Sequence, residues 1–369
     1  MRQHEWKQKQ AQAPQELAPV LIETLSPGPA QWIVGPGAWA AAAAELAVLP
    51  QPIGLVGETG LLRIFRKALT EAWLENGVEL VLINMPDGIE CSRKSAEAVA
   101  KEAKAKFCAT ILGIGGGKII DIAKWAAYLN AMPLVTAPTS AATCAGASGV
   151  VVCHSPEGSF EDVLDLPMPA QLCVVDTTIL AQAPANLLAA GMADTLAKWL
   201  EWKALPELGS NFGNAAGWIL AERGALACET LGAEALREPK SHAWNTCIEA
   251  CLLWSAQASC LGQAPAAAAH SLANALTKQA LGRNLVHGAQ VGLGLLWQEA
   301  LLEPSAASVW GLARVRTLLK AWQLPVLLPA GLDLEALLSD AMAPEESVHG
   351  LGIKLNASHG RHALNYLIA

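Results

Sequence analysis

The chain has 369 residues, 53% of them hydrophobic and 16% charged, with 33 acidic against 25 basic side chains and a formal charge of −8. This composition excludes a disordered polyelectrolyte. The acidic balance argues against a face for nucleic acid or anionic lipid. The mean hydropathy of +0.31 comes largely from alanine, and no uninterrupted apolar run reaches the roughly 18 residues of a membrane span.

Residues 1–29 form an expected N-terminal tail. It is polar and glutamine-rich at its start (MRQHEWKQKQAQAPQE), and it lacks the apolar core of a signal peptide. From there short apolar runs alternate with helical periods. Strands are expected at 32–35, 52–57, 79–84, 108–117 and 133–139, with helices at 36–46, 60–77, 92–106 and 118–130 between them. Residues 150–177 read as a β-hairpin followed by a strand. Such alternation indicates an α/β domain with a mainly parallel sheet. Near Pro184 the strand signals fade and long Ala- and Leu-rich helical periods take over, at 187–205, 217–231, 245–263, 266–281 and 288–302. The expected division is therefore an α/β domain over 30–184 and an all-α domain over 185–369.

Nine cysteines, an odd number with no CxxC pair, fit reduced thiols in a cytoplasmic protein. Cys247 and Cys251, four residues apart on a helix, read as core thiols. The tryptophans at 199, 202, 218, 254 and 297 fall within helices and read as core or subunit-contact residues.

The segment Gly113-Ile114-Gly115-Gly116-Gly117-Lys118 carries a strand into a helix through a run of glycines. Glycines there let a backbone approach a ligand closely, and the helix N-terminus favours an anion. A pyrophosphate is the natural occupant, although a plain packing turn has the same pattern. The segment is not a Walker A loop.

In the second half, Asp194, His270 and His287 stand out within apolar helical stretches. One carboxylate and two imidazoles suit a divalent cation with an open coordination position. Taken singly, each has a plainer reading, a hydrogen-bonded core histidine or a helix cap.

The ordered set GIGGGKIIDIAK, VTAPTSAATCAGAS, LLAAGMADTLAKWLEW, AAAAHSLANALT and VHG resembles the iron-containing (group III) alcohol dehydrogenase family on its glycerol dehydrogenase side. The likeness spans roughly residues 30–365. Within the family, the AATCA stretch, GMADTLAKW and PEESVHGL look closest to the hydroxycarboxylate dehydrogenase branch. The resemblance implies a dehydroquinate synthase-like fold, an NAD(P)-binding α/β domain followed by a helical metal-binding domain. It also implies hydride transfer between NAD(P) and a small 2-oxo or 2-hydroxy acid or a polyol.

The family's metal ligands fall on Asp194, His270 and His287, with zinc favoured over iron. Its pyrophosphate contacts fall on Gly115, Gly116, Gly117 and Lys118, with Asp121 in the same motif; an i, i+3 ion pair of Asp121 with Lys124 is the plainer reading of that residue. Its nicotinamide-side contacts fall on Thr139, Ser140 and Thr143. The substrate pocket falls on Cys144, where glycerol dehydrogenases carry Asp, and on Ala273, where the family has a second His. Gly57 stands at the position of an acidic ribose contact, so NADP is open beside NAD, with Arg63 or Lys67 for a 2′-phosphate. Expected partners are a small-molecule substrate and further copies of the chain, with no nucleic acid and no membrane. Glycerol dehydrogenase proper and a non-catalytic relative that keeps fold and metal are the alternatives. His349 and His359 are weaker candidates, and His154 takes no role.

Overall fold

The computed structural model describes residues 28–166, 169–205, 212–262, 265–303, 308 and 310–368. All but the end of the expected tail lies outside them, as does the side chain of Lys67.

Six strands, β1 (Gln31–Gly35), β2 (Ile53–Glu58), β3 (Leu80–Met85), β4 (Thr110–Gly115), β5 (Leu134–Pro138) and β8 (Leu172–Asp176), form one sheet in the order β1-β8-β5-β4-β2-β3. Every pairing is parallel. A parallel sheet needs helical crossovers that cover both faces, so its inner strands are apolar throughout rather than alternating. Here β4, β5 and β8 are buried at every position. One face packs Val56, Ile83 and Ile111 against residues of the helices Arg93–Ala105 and Gly117–Leu129. The other packs Ile53, Leu55, Leu112 and Ile114 with Trp39 and Trp73. The pair β6 (Val150–His154) and β7 (Phe160–Asp165) is an antiparallel hairpin outside the sheet.

The first helical stretch is not continuous. It splits into α1 (Ala38–Ala41) and α2 (Ala43–Ala47). Asp176, at the end of β8, accepts hydrogen bonds from the backbone N–H groups of Gly37 and Trp39 and so fixes the entry of α1. The helices α3 (Thr59–Leu74), α4 (Arg93–Ala105) and α5 (Gly117–Leu129) lie where the periodicity predicts them. A capping box of Ser92 and Ser95 starts α4.

After β8 come the one-turn α6 (Thr177–Leu180) and then helices alone. These are α7 (Ala185–Ala204), α8 (Phe212–Arg237), α9 (His242–Glu249), a π-helical stretch (Ala250–Trp254), α10 (Ser255–Gly262), α11 (Ala268–Thr277), α12 (Ala280–Arg283) and α13 (His287–Leu302). Three further helices, α14 (Leu312–Ala321), α15 (Leu334–Ala341) and α16 (Ala357–Asn365), were not read from the sequence. One apolar cluster runs through this half. It takes in Trp199, Trp202, Trp244, Trp297 and Trp322 together with Cys228, Cys247 and Cys251, which accounts for much of the tryptophan and cysteine content as core. All nine cysteines are free thiols, and no helix among the described residues is long and apolar enough to cross a membrane.

Candidate metal centre and nucleotide turn

Asp194 lies in the middle of α7 and is almost fully buried. His270 sits in the first turn of α11, and His287 is the first residue of α13. The three come from separate helices, yet their ligand atoms lie within 4.8 Å of one another. Asp194 Oδ1 is 3.5 Å from His270 Nε2 and 3.8 Å from His287 Nε2. Donors about 2.1 Å from one cation in a tetrahedral set stand roughly 3.4 Å apart. The spacing and the hard/borderline donor chemistry therefore both fit a divalent cation with a position left open.

A residue that sequence reasoning missed completes the centre. Glu201 stands two turns after Asp194 on α7 and has no solvent exposure. Its Oε1 accepts from the backbone N–H of Ala267 at 2.7 Å and of His270 at 2.9 Å, and its Oε2 meets His270 Nδ1 at 2.5 Å. These bonds cap the start of α11 and turn the Nε2 of His270 toward Asp194, the arrangement in which a carboxylate orients a metal-binding imidazole. Burial weighs against charge on His270, but Glu201 and Asp194 outweigh it and lift its pKa to about 10. Burial likewise works against the Asp194 carboxylate. The hydrogen bonds from His270 and His287, with Lys198 nearby, nevertheless hold it well below the usual range. The sequence signal for Glu201 was a lone acid inside WLEW, at a helical spacing of seven from Asp194.

At the carboxyl end of β4 the chain turns at Gly115, whose φ of +155° and contact with Ile119 leave no room for a side chain. Gly116 precedes α5 with no side-chain cap, and open space lies where its Cβ would be. The backbone N–H groups of the first turn are thus offered to a ligand, which suits a pyrophosphate. The loop after β5 packs on this turn. Thr139 donates its N–H to the Gly115 carbonyl, and a Cβ on Gly117 would stand 3.0 Å from Thr143 Oγ1. Ser140 is the next residue along and is half-buried. The far side of the loop packs on α7, where a Cβ on Gly191 would fall 1.8 Å from the Ala141 carbonyl oxygen. The glycine turn, the loop and the helix carrying Asp194 are therefore held together by backbone contact.

Three expected contacts need correction. Asp121 does not face a ligand. It is 5% exposed, its Oδ1 accepts from Lys124 at 2.9 Å and its Oδ2 from the Val152 N–H at 3.1 Å. It anchors the hairpin to α5 instead. Ala273 lines no open pocket. Its methyl is packed into the apolar cluster of the helical half at 1% exposure. Gly57 faces inward, where a Cβ would meet Leu62 at 2.8 Å. The acid at the strand end is the next residue, Glu58, which accepts from the Gly88 N–H at 2.8 Å.

Lys118 is exposed and pairs with Glu90 at 2.5 Å. Cys144 is buried beside Ala147 and Ala256. Arg63 lies exposed on α3. His349 turns back onto the Met342 and Ala343 carbonyls, and His359 lies on α16; neither joins the centre. His154 lies in β6, edge-on to Phe160.

A family model for iron-containing alcohol dehydrogenase matches residues 29–177. The glycerol dehydrogenase of Pseudomonas putida is 32% identical over 312 residues, covering 80% of this chain and 83% of that one. Hydroxycarboxylate dehydrogenase A of Escherichia coli strain K12 is 27% identical over 284 residues, covering 72% and 76%. The crystal structure of a probable glycerol dehydrogenase from Sinorhizobium meliloti 1021 superposes with a TM-score of 0.81 at 24% identity, covering 94% of this chain and 98% of that one.

Proposed function

The chain belongs to the iron-containing alcohol dehydrogenase family of oxidoreductases acting on CH–OH donors, and we propose that it moves a hydride between a nicotinamide dinucleotide and a small 2-oxo or 2-hydroxy acid. The observation that carries the metal-dependent part is the convergence of Asp194, His270 and His287 with Glu201 behind them. When bound, the cation supplies Lewis-acid polarisation and the coenzyme supplies or accepts the hydride. The chain's own residues do the rest. Asp194, His270 and His287 hold the cation, and Glu201 fixes the ring of His270. The turn Gly115–Lys118 cradles the pyrophosphate, and the Thr139–Thr143 loop packs between that turn and α7, the helix that carries Asp194.

Glu58 at the end of β2 supports NAD over NADP, because a carboxylate there binds ribose hydroxyls and repels a 2′-phosphate. Zinc is the favoured cation on its borderline donor set. The polyol reading, glycerol dehydrogenase proper, draws its support from the relative in Pseudomonas putida. A homo-oligomeric, cytoplasmic enzyme completes the proposal, the first part checked by light scattering.

The test is oxidation of NADH and NADPH by zinc-loaded protein with 2-oxobutanoate, beside NAD reduction with glycerol. A 2-oxobutanoate rate that chelation removes is expected. A rate with glycerol alone would make the protein a polyol dehydrogenase, and no rate on either with metal bound would overturn the proposal. Asp194→Ala and His270→Ala should each abolish metal binding and turnover while circular dichroism stays unchanged.

A further inference from the structure

Among the described residues two lysines sit in buried surroundings, and they are used differently. Lys124 is 2% exposed and fully engaged, donating to Asp121 Oδ1 at 2.9 Å, Ser148 Oγ at 3.3 Å and the Val150 carbonyl at 2.8 Å. That is the pattern of a structural ammonium, with every donor directed at an acceptor. Lys198 is half-buried, and its Nζ makes one hydrogen bond among the described residues, to Ser259 Oγ at 2.8 Å. No carboxylate oxygen pairs with it within 4.0 Å among those residues. An ammonium carries three donors, so two remain for something else.

Its position says where they are available. Lys198 follows Asp194 by one helical turn on the same face of α7. It is packed from the other side by α10, through Ser259. The loop that rests on the glycine turn brings Cys144 into its field, and Cys260, which contacts the Ala147 carbonyl of the same loop, is close as well. The neighbouring carboxylates are already committed, Asp194 to the metal position and Glu201 to His270 and Ala267. With a divalent cation balanced by those two acids, Lys198 leaves uncompensated positive charge one helical turn from the metal position.

We infer that Lys198 receives the carboxylate of the substrate, and that it is the residue which makes this site select oxo and hydroxy acids over neutral carbonyls and polyols. Lys198 takes this role only if the metal centre is the oxidoreductase site proposed above. A single ammonium matches a monoanionic carboxylate next to the reacting carbon. A phosphate dianion calls for several cations or an arginine fork, and the neighbouring Lys203 is spent over the rings of Trp199 and Trp218.

The test compares wild type with Lys198→Met and Lys198→Arg as zinc-loaded proteins of equal metal content. Calorimetric titration with oxamate, in the presence of NADH, is expected to weaken about tenfold or more in Lys198→Met and to be largely restored in Lys198→Arg. Kinetically, the ratio of kcat/KM for 2-oxobutanoate over 1-hydroxy-2-butanone should fall by a similar factor, mainly through KM. A parallel loss on both substrates with the ratio kept would reduce Lys198 to a structural role and overturn the inference. So would oxamate binding that ignores Lys198→Met, or inorganic phosphate displacing oxamate at lower concentration than 2-oxobutanoate does. If wild type turns over neither substrate, the oxidoreductase proposal fails and takes the role of Lys198 with it; a wild type that reduces 2-oxobutanoate while Lys198→Met binds oxamate unchanged fails the inference alone.

Discussion

Glu201 concentrates three demands on one carboxylate: two backbone N–H groups at the start of α11 and the Nδ1 of His270. Hydrogen bonds to a charged, water-free acceptor contribute roughly 1.5–3 kcal/mol each, and donors left without a partner cost a similar amount. Glu201→Ala should therefore lower stability by several kcal/mol. Glu201→Gln keeps the shape but cannot accept from all three donors, and should weaken zinc about 10–100-fold with a smaller change in Tm. Chelator competition and thermal denaturation read the two effects separately, and unchanged zinc affinity in the Gln variant would deny Glu201 its orienting role. Asp194, His270 and His287 stand out in the sequence because polar groups in apolar helical stretches demand an explanation, and the family resemblance joins them into one ligand set. Glu201 does not stand out, since an acid one residue from a tryptophan and two from a lysine reads as a solvated helix face. Asp121 goes the other way. Its place in the glycine motif suggests a ligand contact, but of its two readings the ion pair with Lys124, three residues on, is the one that forms, and it is buried.

At the scale of elements, close backbone approach is what sets the distances between chemistry-bearing side chains. Gly191 lets α7 touch the loop after β5, and Gly288 lets the start of α13 touch α7, where a Cβ would stand 1.9 Å from the Ala190 carbonyl oxygen. Carbonyl oxygens cannot yield as a flexible side chain does, so an added methyl must separate the elements. Gly288→Ala should push His287 away from Asp194. It should cost about 1–3 kcal/mol of stability and lower zinc affinity, both measured on the purified variant; a variant that binds zinc as wild type does would refute the contact. Gly191→Ala should act on the loop side instead, raising KM for the coenzyme more than it disturbs the metal.

The period of the strands and long helices was readable because burial imposes it. Tertiary contacts decided the breaks. Residues 36–46 divide at Ala42, and the period expected over 266–281 stops at Thr277, where Gln279 turns extended and the chain folds back until Gly282 meets the Leu276 carbonyl. No local residue pattern announces either.

At the scale of the whole molecule, the hairpin β6–β7 joins the two halves. Its base is pinned to α5 by Asp121 and Lys124. Its tip crosses to the helical half, where Phe160 donates its N–H to Thr277 Oγ1 at 2.8 Å, and Arg283 holds both Ser159 Oγ and the Thr277 carbonyl. Thr277 closes the helix that carries His270, so the hairpin ties the α/β half of the molecule to the element bearing His270. The sequence located the hairpin but could not say what its tip would touch, because Thr277 lies 117 residues away along the chain.

Thr277→Val keeps the side-chain volume and removes the acceptor for Phe160. The expected result is a loss of about 1–2 kcal/mol in global stability, with faster amide exchange confined to residues 155–160. Zinc affinity should stay near that of wild type, since neither Glu201 nor the ligand triad is touched. If exchange at 155–160 stays slow in this variant, Arg283 alone holds the tip. If exchange instead rises throughout the helical half, the tie is part of the core of that half rather than a link between halves.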